Sequence, residues 1–285
     1  METQIIQIPY DSGHIDVRMG NGPAHLVKHG LPSPGVIPPD RVEVEELPFE
    51  LGTTFRVLRS LSEKVTAAVL CERFPLVLAG GCVSCVGTLA GVGGGSSAVV
   101  WLDAHGDFNT PETTLSGFLD GMALAMATGR CWQNLTASVP GFRPVCEKDV
   151  VLIAARDLDP EERKLLERSE VAWIDTATIR KLGAKDALRP VLENLEPDQI
   201  YLHIDLDVLD VSEARVNQFS SAGGLTLAEL LQVVRVVADA RPVTAAAITA
   251  YDPSYDTDGK AAEAGTALMQ ELTHINQGRG AHVDG

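Results

Sequence analysis

No uninterrupted apolar run in this 285-residue sequence is long enough to span a bilayer, which excludes a helical membrane span. The N-terminal METQIIQIPYDSG has neither the basic n-region nor the apolar h-region of a secretion signal, so a cytoplasmic location is expected. Positive charge is scarce. There are 23 Lys and Arg against 39 Asp and Glu, a formal net charge of −16. A surface that acidic repels phosphate backbones, so neither nucleic acid nor membrane is expected as a partner. It is compatible with a cationic small molecule. Cysteine is sparse and odd in number, five in all, which argues against a disulfide framework in a chain without a secretion signal. Internal repeats and linker-like stretches are absent. One domain over 1–285 is therefore expected, with a disordered tail at 275–285.

What is there is an alternation. FPLVLAG (74–80), SAVVWLDA (97–104), DVVLIAAR (149–156), VAWID (171–175), QIYLHIDLD (199–207) and VTAAAITAYD (243–252) read as strands. Helical patterns such as PEERKLLERSE (160–170) and TLAELLQVVRVVADA (226–240) lie between them. Thr226 is placed as N-cap, with Glu229 completing a capping box. Apolar strands alternating with helices imply an α/β fold with a mostly parallel sheet covered on both faces. Sites in such sheets form at the carboxyl ends of strands. There this sequence places DAHGD, DLD and AYD.

Asp103, His105 and Asp107 stand at i, i+2 and i+4, and Asp205 and Asp207 at i and i+2. If the strands run through them, alternate residues share a face. Four aspartates and an imidazole converging there would repel unless something positive holds them. Two divalent ions, roughly 3.5–4 Å apart, are the simplest candidate. Carboxylates with one imidazole suit Mn²⁺ or another first-row ion.

WLDAHGDFNTPETTLSG, HIDLDVLD, AARDLDPEE and GNGPAHL (20–26) occur in the order and wording of the arginase (ureohydrolase) family, which includes the agmatinases. The chain resembles that family over most of its length. The resemblance implies a three-layer α/β/α fold, a binuclear Mn²⁺ centre and hydrolysis of a guanidino carbon–nitrogen bond. It also implies a homo-oligomer, trimer or hexamer. Aligned without gaps, GGCVSCVGTLAG puts Cys82 on the family's first metal-binding His. A thiolate ligand opens the site to Zn²⁺, Fe²⁺ or Co²⁺. Members with Cys here resemble hydrolases of N-hydroxylated arginine. A C-x-x-C redox role for Cys82 and Cys85 is the competing reading of that stretch.

By the same resemblance, Cys82, Asp103, Asp107 and Asp205 would hold one ion. His105, Asp103, Asp205 and Asp207 would hold the other. Asn109, Thr114, Ser116 and Asp159 would grip an amino acid's α-carboxylate and α-amine. Thr114 and Ser116 also read as turn hydroxyls, and Asp159 as a helix N-cap before Pro160. Three positions depart from the pattern. Asp120 replaces a His credited with proton transfer and would carry that proton instead. Ala250 replaces the Glu that grips a guanidinium, and Phe219 replaces a Thr. Asp252, on Ala250's face if the strand continues, would contact the head group. The expected substrate is an arginine relative with a modified head group. The alternative is a degenerate member that binds without turnover.

Overall fold

The computed structural model describes residues 1–280, apart from Ser33 and Gly94. Among the described residues ten strands form: β1 (Thr3–Ile8), β2 (Tyr10–Asp11), β3 (His14–Ile15), β4 (Val36–Arg41), β5 (Phe74–Ala79), β6 (Ala98–Leu102), β7 (Val150–Ile153), β8 (Ala172–Ile174), β9 (Ile200–Asp205) and β10 (Val243–Thr249). β2 and β3 make a small antiparallel ribbon. The other eight form one sheet in the order β4-β1-β5-β10-β9-β6-β7-β8, with every neighbouring pair parallel.

The central strands are buried on both faces, so their residues alternate between two cores. Leu76 and Leu78 of β5 join one cluster, with Val100 and Leu102 of β6 and Leu230 and Val234 of helix 227–240. Val77, Val99 and Trp101 point the other way, onto Leu58 and Leu61 of helix 50–70 and onto Val86 and Leu89 of helix 84–91. Two helical layers around a parallel sheet give the expected three-layer α/β/α architecture. Thr226 and Glu229 form the expected capping box.

Two strands of the eight-stranded sheet escaped the sequence reading, as did the short β2–β3 ribbon. In β1 the polar Thr3, Gln4 and Gln7 interrupt the apolar run, and β4 contains Pro38 and Pro39, tolerated because it sits at the sheet's edge. The tail differs too. The last helix runs from Lys260 to Gly280, and Asn276 Nδ2 donates to the Met1 carbonyl at 2.9 Å. Residues 275–280 are therefore helical, continuing the helix ladder, and the Asn276 side chain ties this end to the N-terminus. Residues 281–285 of the expected tail lie outside the described ones.

The chain leaves β5 through helix 84–91 and re-enters the sheet at β6, passing over the positions of β10 and β9. That crossover opens a crevice at the carboxyl ends of these neighbouring strands.

Candidate active site

Each segment of the site leaves the end of a strand. β5 stops at Ala79, and Gly80–Gly81 carry the chain to Cys82. Gly81 must be glycine: a Cβ there would lie 2.5 Å from Oδ1 of Asp120. β6 stops at Leu102 and β9 at Asp205, so DAHGD is loop and Leu206–Asp207 open a 3-10 helical turn, neither being strand. The strict alternation expected for them does not hold. Asp107 adopts a left-handed backbone (φ 49°).

Two groups of ligand atoms nevertheless assemble, each with its atoms within 4.8 Å of one another. Cys82, Asp103 and Asp205 form one. Asp103, His105 and Asp207 form the other, so Asp103 is common to both. Asp205 belongs to the first group alone and Asp107 to neither. Asp107 is buried beside them, and its Oδ2 has no hydrogen-bond partner. An orphaned buried carboxylate oxygen next to two carboxylate-rich donor groups fits a bound cation.

Hydrogen bonds fix these side chains. Trp101 Nε1 donates to Asp103 Oδ2 at 2.9 Å, and the His105 amide donates to Oδ1 at 2.7 Å. The His105 ring nitrogen Nδ1 lies 3.3 Å from Asp103 and 3.4 Å from Asp207. The Cys82 thiol donates to Asp205 Oδ2 at 3.0 Å. Behind it, Thr249 Oγ1 lies 3.3 Å from both Cys82 Sγ and His203 Nε2. His203 is buried, stacked on Trp101 at 3.6 Å and bonded to the Tyr201 hydroxyl at 2.9 Å.

The electrostatics have one pattern. Burial and the neighbouring carboxylate of Asp207 push Asp103 up to about 6. Burial, with Asp207 and Asp103, lifts Asp205 well above the usual carboxylate range. Burial and Asp205 raise the Cys82 thiol. Burial alone would lower His105, but Asp207 and Asp103 outweigh it and raise it well above the usual imidazole value. These anionic side chains take protons or share an imidazolium because negative charge is crowded out of water, a pattern that a divalent cation would reverse.

The cluster opens on a cavity of about 250 Å³. Its lining includes Asn109, Thr114, Ser116, Asp120 and Asp159, as the sequence suggested. Asn109 Nδ2 donates to Asp159 at 3.1 Å. Thr114 and Ser116 hydroxyls accept the amides of Gly117 and Phe118, so both are turn residues at the cavity. Asp159 also caps helix 160–167 in a capping box with Glu162. Asp120 Oδ1 accepts the Val83 amide at 2.9 Å, and burial lifts its carboxyl to about 7.

One expected residue is not brought in. Asp252 is absent from the lining, and its carboxylate accepts the amide and hydroxyl of Ser254 at 2.9 and 2.7 Å. The reason is backbone. Ala250 is left-handed (φ 62°), so the strand ends and the two-residue face rule breaks before Asp252. In the C-x-x-C pair, Cys85 is fully buried and its sulfur faces the Ala123 carbonyl, which argues against a redox couple.

Sequence reasoning missed Asn217, Phe118 and Glu162. Asn217 Nδ2 reaches Asp207 Oδ2 at 3.3 Å and the Ala250 carbonyl at 2.8 Å. Glu162 accepts the Phe108 amide at 2.9 Å, and burial lifts it to about 7. The capping-box spacing Asp159–Glu162 could have flagged Glu162. Nothing local marks Asn217.

Known proteins give the same picture. The sequence model of the Arginase family matches residues 2–274. An arginase of Bacillus subtilis (strain 168) is 31% identical over 286 residues, covering 94% of this chain and 96% of its own. An arginase of Bacillus caldovelox is 31% identical over 289 residues, with the same coverage of both chains. The crystal structure of arginase from Bacillus cereus superposes with a TM-score of 0.86 at 28% identity, covering 96% of this chain and 98% of that one. The family match over nearly the whole length, together with the sheet order and the ligand groups at its carboxyl edge, makes this chain a member of the arginase family.

Proposed function

We propose that the protein is a binuclear, metal-dependent hydrolase that cleaves a C–N bond of a guanidino amino acid, releasing urea or a urea derivative. The observation that carries this reading is the meeting of two buried ligand groups at Asp103, beside a cavity. Cys82, Asp103, Asp107 and Asp205 would hold one divalent ion, and Asp103, His105, Asp205 and Asp207 the other. Mn²⁺ is the family's metal, and the Cys82 sulfur favours Zn²⁺, Fe²⁺ or Co²⁺ more than an imidazole would. Such ions supply Lewis-acid activation of water and of the carbon it attacks.

The chain's own side chains bind and orient. Thr114 and Ser116 spend acceptor capacity on backbone amides and keep their hydroxyl protons for a substrate carboxylate. Asp159, steadied by Asn109, offers a carboxylate to an α-amine. Asp120 can hold a proton at its carboxyl for the departing amine. Ala250 offers no carboxylate to a guanidinium, which favours a less basic head group such as that of N-hydroxy-L-arginine. The same residue favours the second reading, ligand binding without turnover. A cytoplasmic homo-oligomer, trimer or hexamer, accompanies the family reading.

Metal analysis of protein purified without chelator tests it. Two ions per chain are expected. No bound transition metal, even after incubation with Mn²⁺, Zn²⁺ and Fe²⁺, contradicts it.

A further inference from the structure

Phe118 and Phe219 both line the cavity and stack on each other, with ring centroids 5.5 Å apart and planes at 29°. The edge of this pair meets the candidate ligand His105, whose ring lies 6.3 Å from that of Phe219. Ala250 joins the same wall through Asn217. The Ala250 carbonyl accepts Asn217 Nδ2 at 2.8 Å, and the Phe219 amide donates to Asn217 Oδ1 at 2.8 Å. Asn217 is 1% exposed, and its amide also reaches Asp207. Two backbone groups that could have met a ligand here are thus spent on one buried side chain. The wall that remains is two phenyl rings and a methyl group.

A guanidinium carries N–H donors around its whole edge. With its carbon beside the ligand groups, any donors on its outer nitrogen that turn to this wall would meet two rings and a methyl group in place of an acceptor. Buried donors left unmet cost binding, whereas an apolar group in their place removes the donor and fills the surface. We propose that Phe118 and Phe219 are specificity-determining residues that select guanidino acids whose terminal nitrogen bears a small apolar substituent, such as a methyl group. This rests on the hydrolase reading for where the head group sits. Hydrolysis of such a substrate gives L-ornithine and methylurea, with water's oxygen going to the carbon and a proton to the departing amine.

Calorimetric titration of the purified full chain with L-arginine and Nω-methyl-L-arginine tests the proposal, with urea and methylurea release followed in the same samples. The methylated compound should bind about tenfold more tightly or better. In Phe219→Ser and in Phe118→Asn the ratio should shrink to about threefold or less, at unchanged melting temperature in at least one of them. Equal or tighter binding of L-arginine overturns the proposal. So does absence of binding by either compound, or a ratio that survives in both variants. If the preference holds but neither compound releases a urea, the hydrolase reading fails and the wall stands. If both are hydrolysed without preference, the wall fails and the hydrolase reading stands.

Discussion

The sulfur of Cys82 lies 3.0 Å from Oδ2 of Asp205, and the thiol donates to that carboxylate. A thiol so placed has a carboxylate in front of it and the Thr249 hydroxyl 3.3 Å behind. Burial and Asp205 hold its proton on. A divalent cation held by these residues would remove the reason for that proton, and the pair would then serve as thiolate and carboxylate ligands.

The first prediction concerns metal choice. Cys82→Ser should lose one ion in preference to the other. Cys82→His should shift preference from Zn²⁺ or Fe²⁺ toward Mn²⁺. Elemental analysis after competitive loading reads both. Unchanged metal content and preference in Cys82→Ser would mean that the sulfur is not a ligand.

The second concerns Asp103, common to both ligand groups. Asp103→Asn should abolish binding of both ions, while Asp207→Asn should weaken mainly one. Asp205→Asn separates two arrangements: loss of both ions makes it a second bridge, and loss of one confines it to the Cys82 group. Titration calorimetry with Mn²⁺ gives the stoichiometries. Retention of both ions by Asp103→Asn would contradict the shared-ligand assignment.

The third concerns Asn217. Its amide serves Asp207, Ala250 and Phe219 from a fully buried position. Asn217→Ala leaves the Ala250 carbonyl and the Phe219 amide without it and should cost about 1–3 kcal/mol of stability. Urea denaturation should show a lower midpoint at unchanged slope. A midpoint equal to that of the wild type would contradict the role.

The fourth is a pH dependence away from the ligands. Asp210 accepts the Ser212 hydroxyl and amide and the amides of Gly223 and Gly224, which hold its carboxyl down at about 2. An ordinary Asp titrates at about 3.9. A depressed carboxyl stabilises the fold fully above its unfolded value, and that contribution is lost as pH falls through the folded one. The stability gap between wild type and Asp210→Asn should therefore be constant from about pH 7 to pH 5. It should narrow below about pH 4 and close near pH 2. A gap that persists at pH 2 would contradict the assignment.

Much of this was legible in the sequence, for reasons that can be named. The central strands are apolar on both faces, so β5, β6, β7, β9 and β10 stood out, and their ends carried the aspartates. The edge strand β4 did not stand out, because its two prolines break the pattern while its outer edge needs no partner. Asp103, His105, Asp205 and Asp207 were legible because their spacing is local, and Cys82 because GGCVSC aligns with the family's first ligand segment. Asp252 was misplaced because the rule that alternate residues share a face holds only while the strand lasts. Left-handed Ala250 ends it, and a sequence does not display φ. The Phe118–Phe219 stack joins segments about a hundred residues apart, and Asn217 ties the loop after β9 to the end of β10 at Ala250, so only the folded structure brings these groups together.

The most direct test is steady-state hydrolysis by protein titrated with Mn²⁺ and, separately, with Zn²⁺ or Fe²⁺, using N-hydroxy-L-arginine and L-arginine as substrates. Loss of a charged hydrogen-bond partner at Ala250 costs about 1.5–3 kcal/mol of binding, or roughly 10- to 150-fold. The account predicts metal-dependent release of L-ornithine, with kcat/KM for N-hydroxy-L-arginine above that for L-arginine by about that range. Efficient turnover of L-arginine without such a preference, or no metal-dependent release of L-ornithine from either compound, would contradict it.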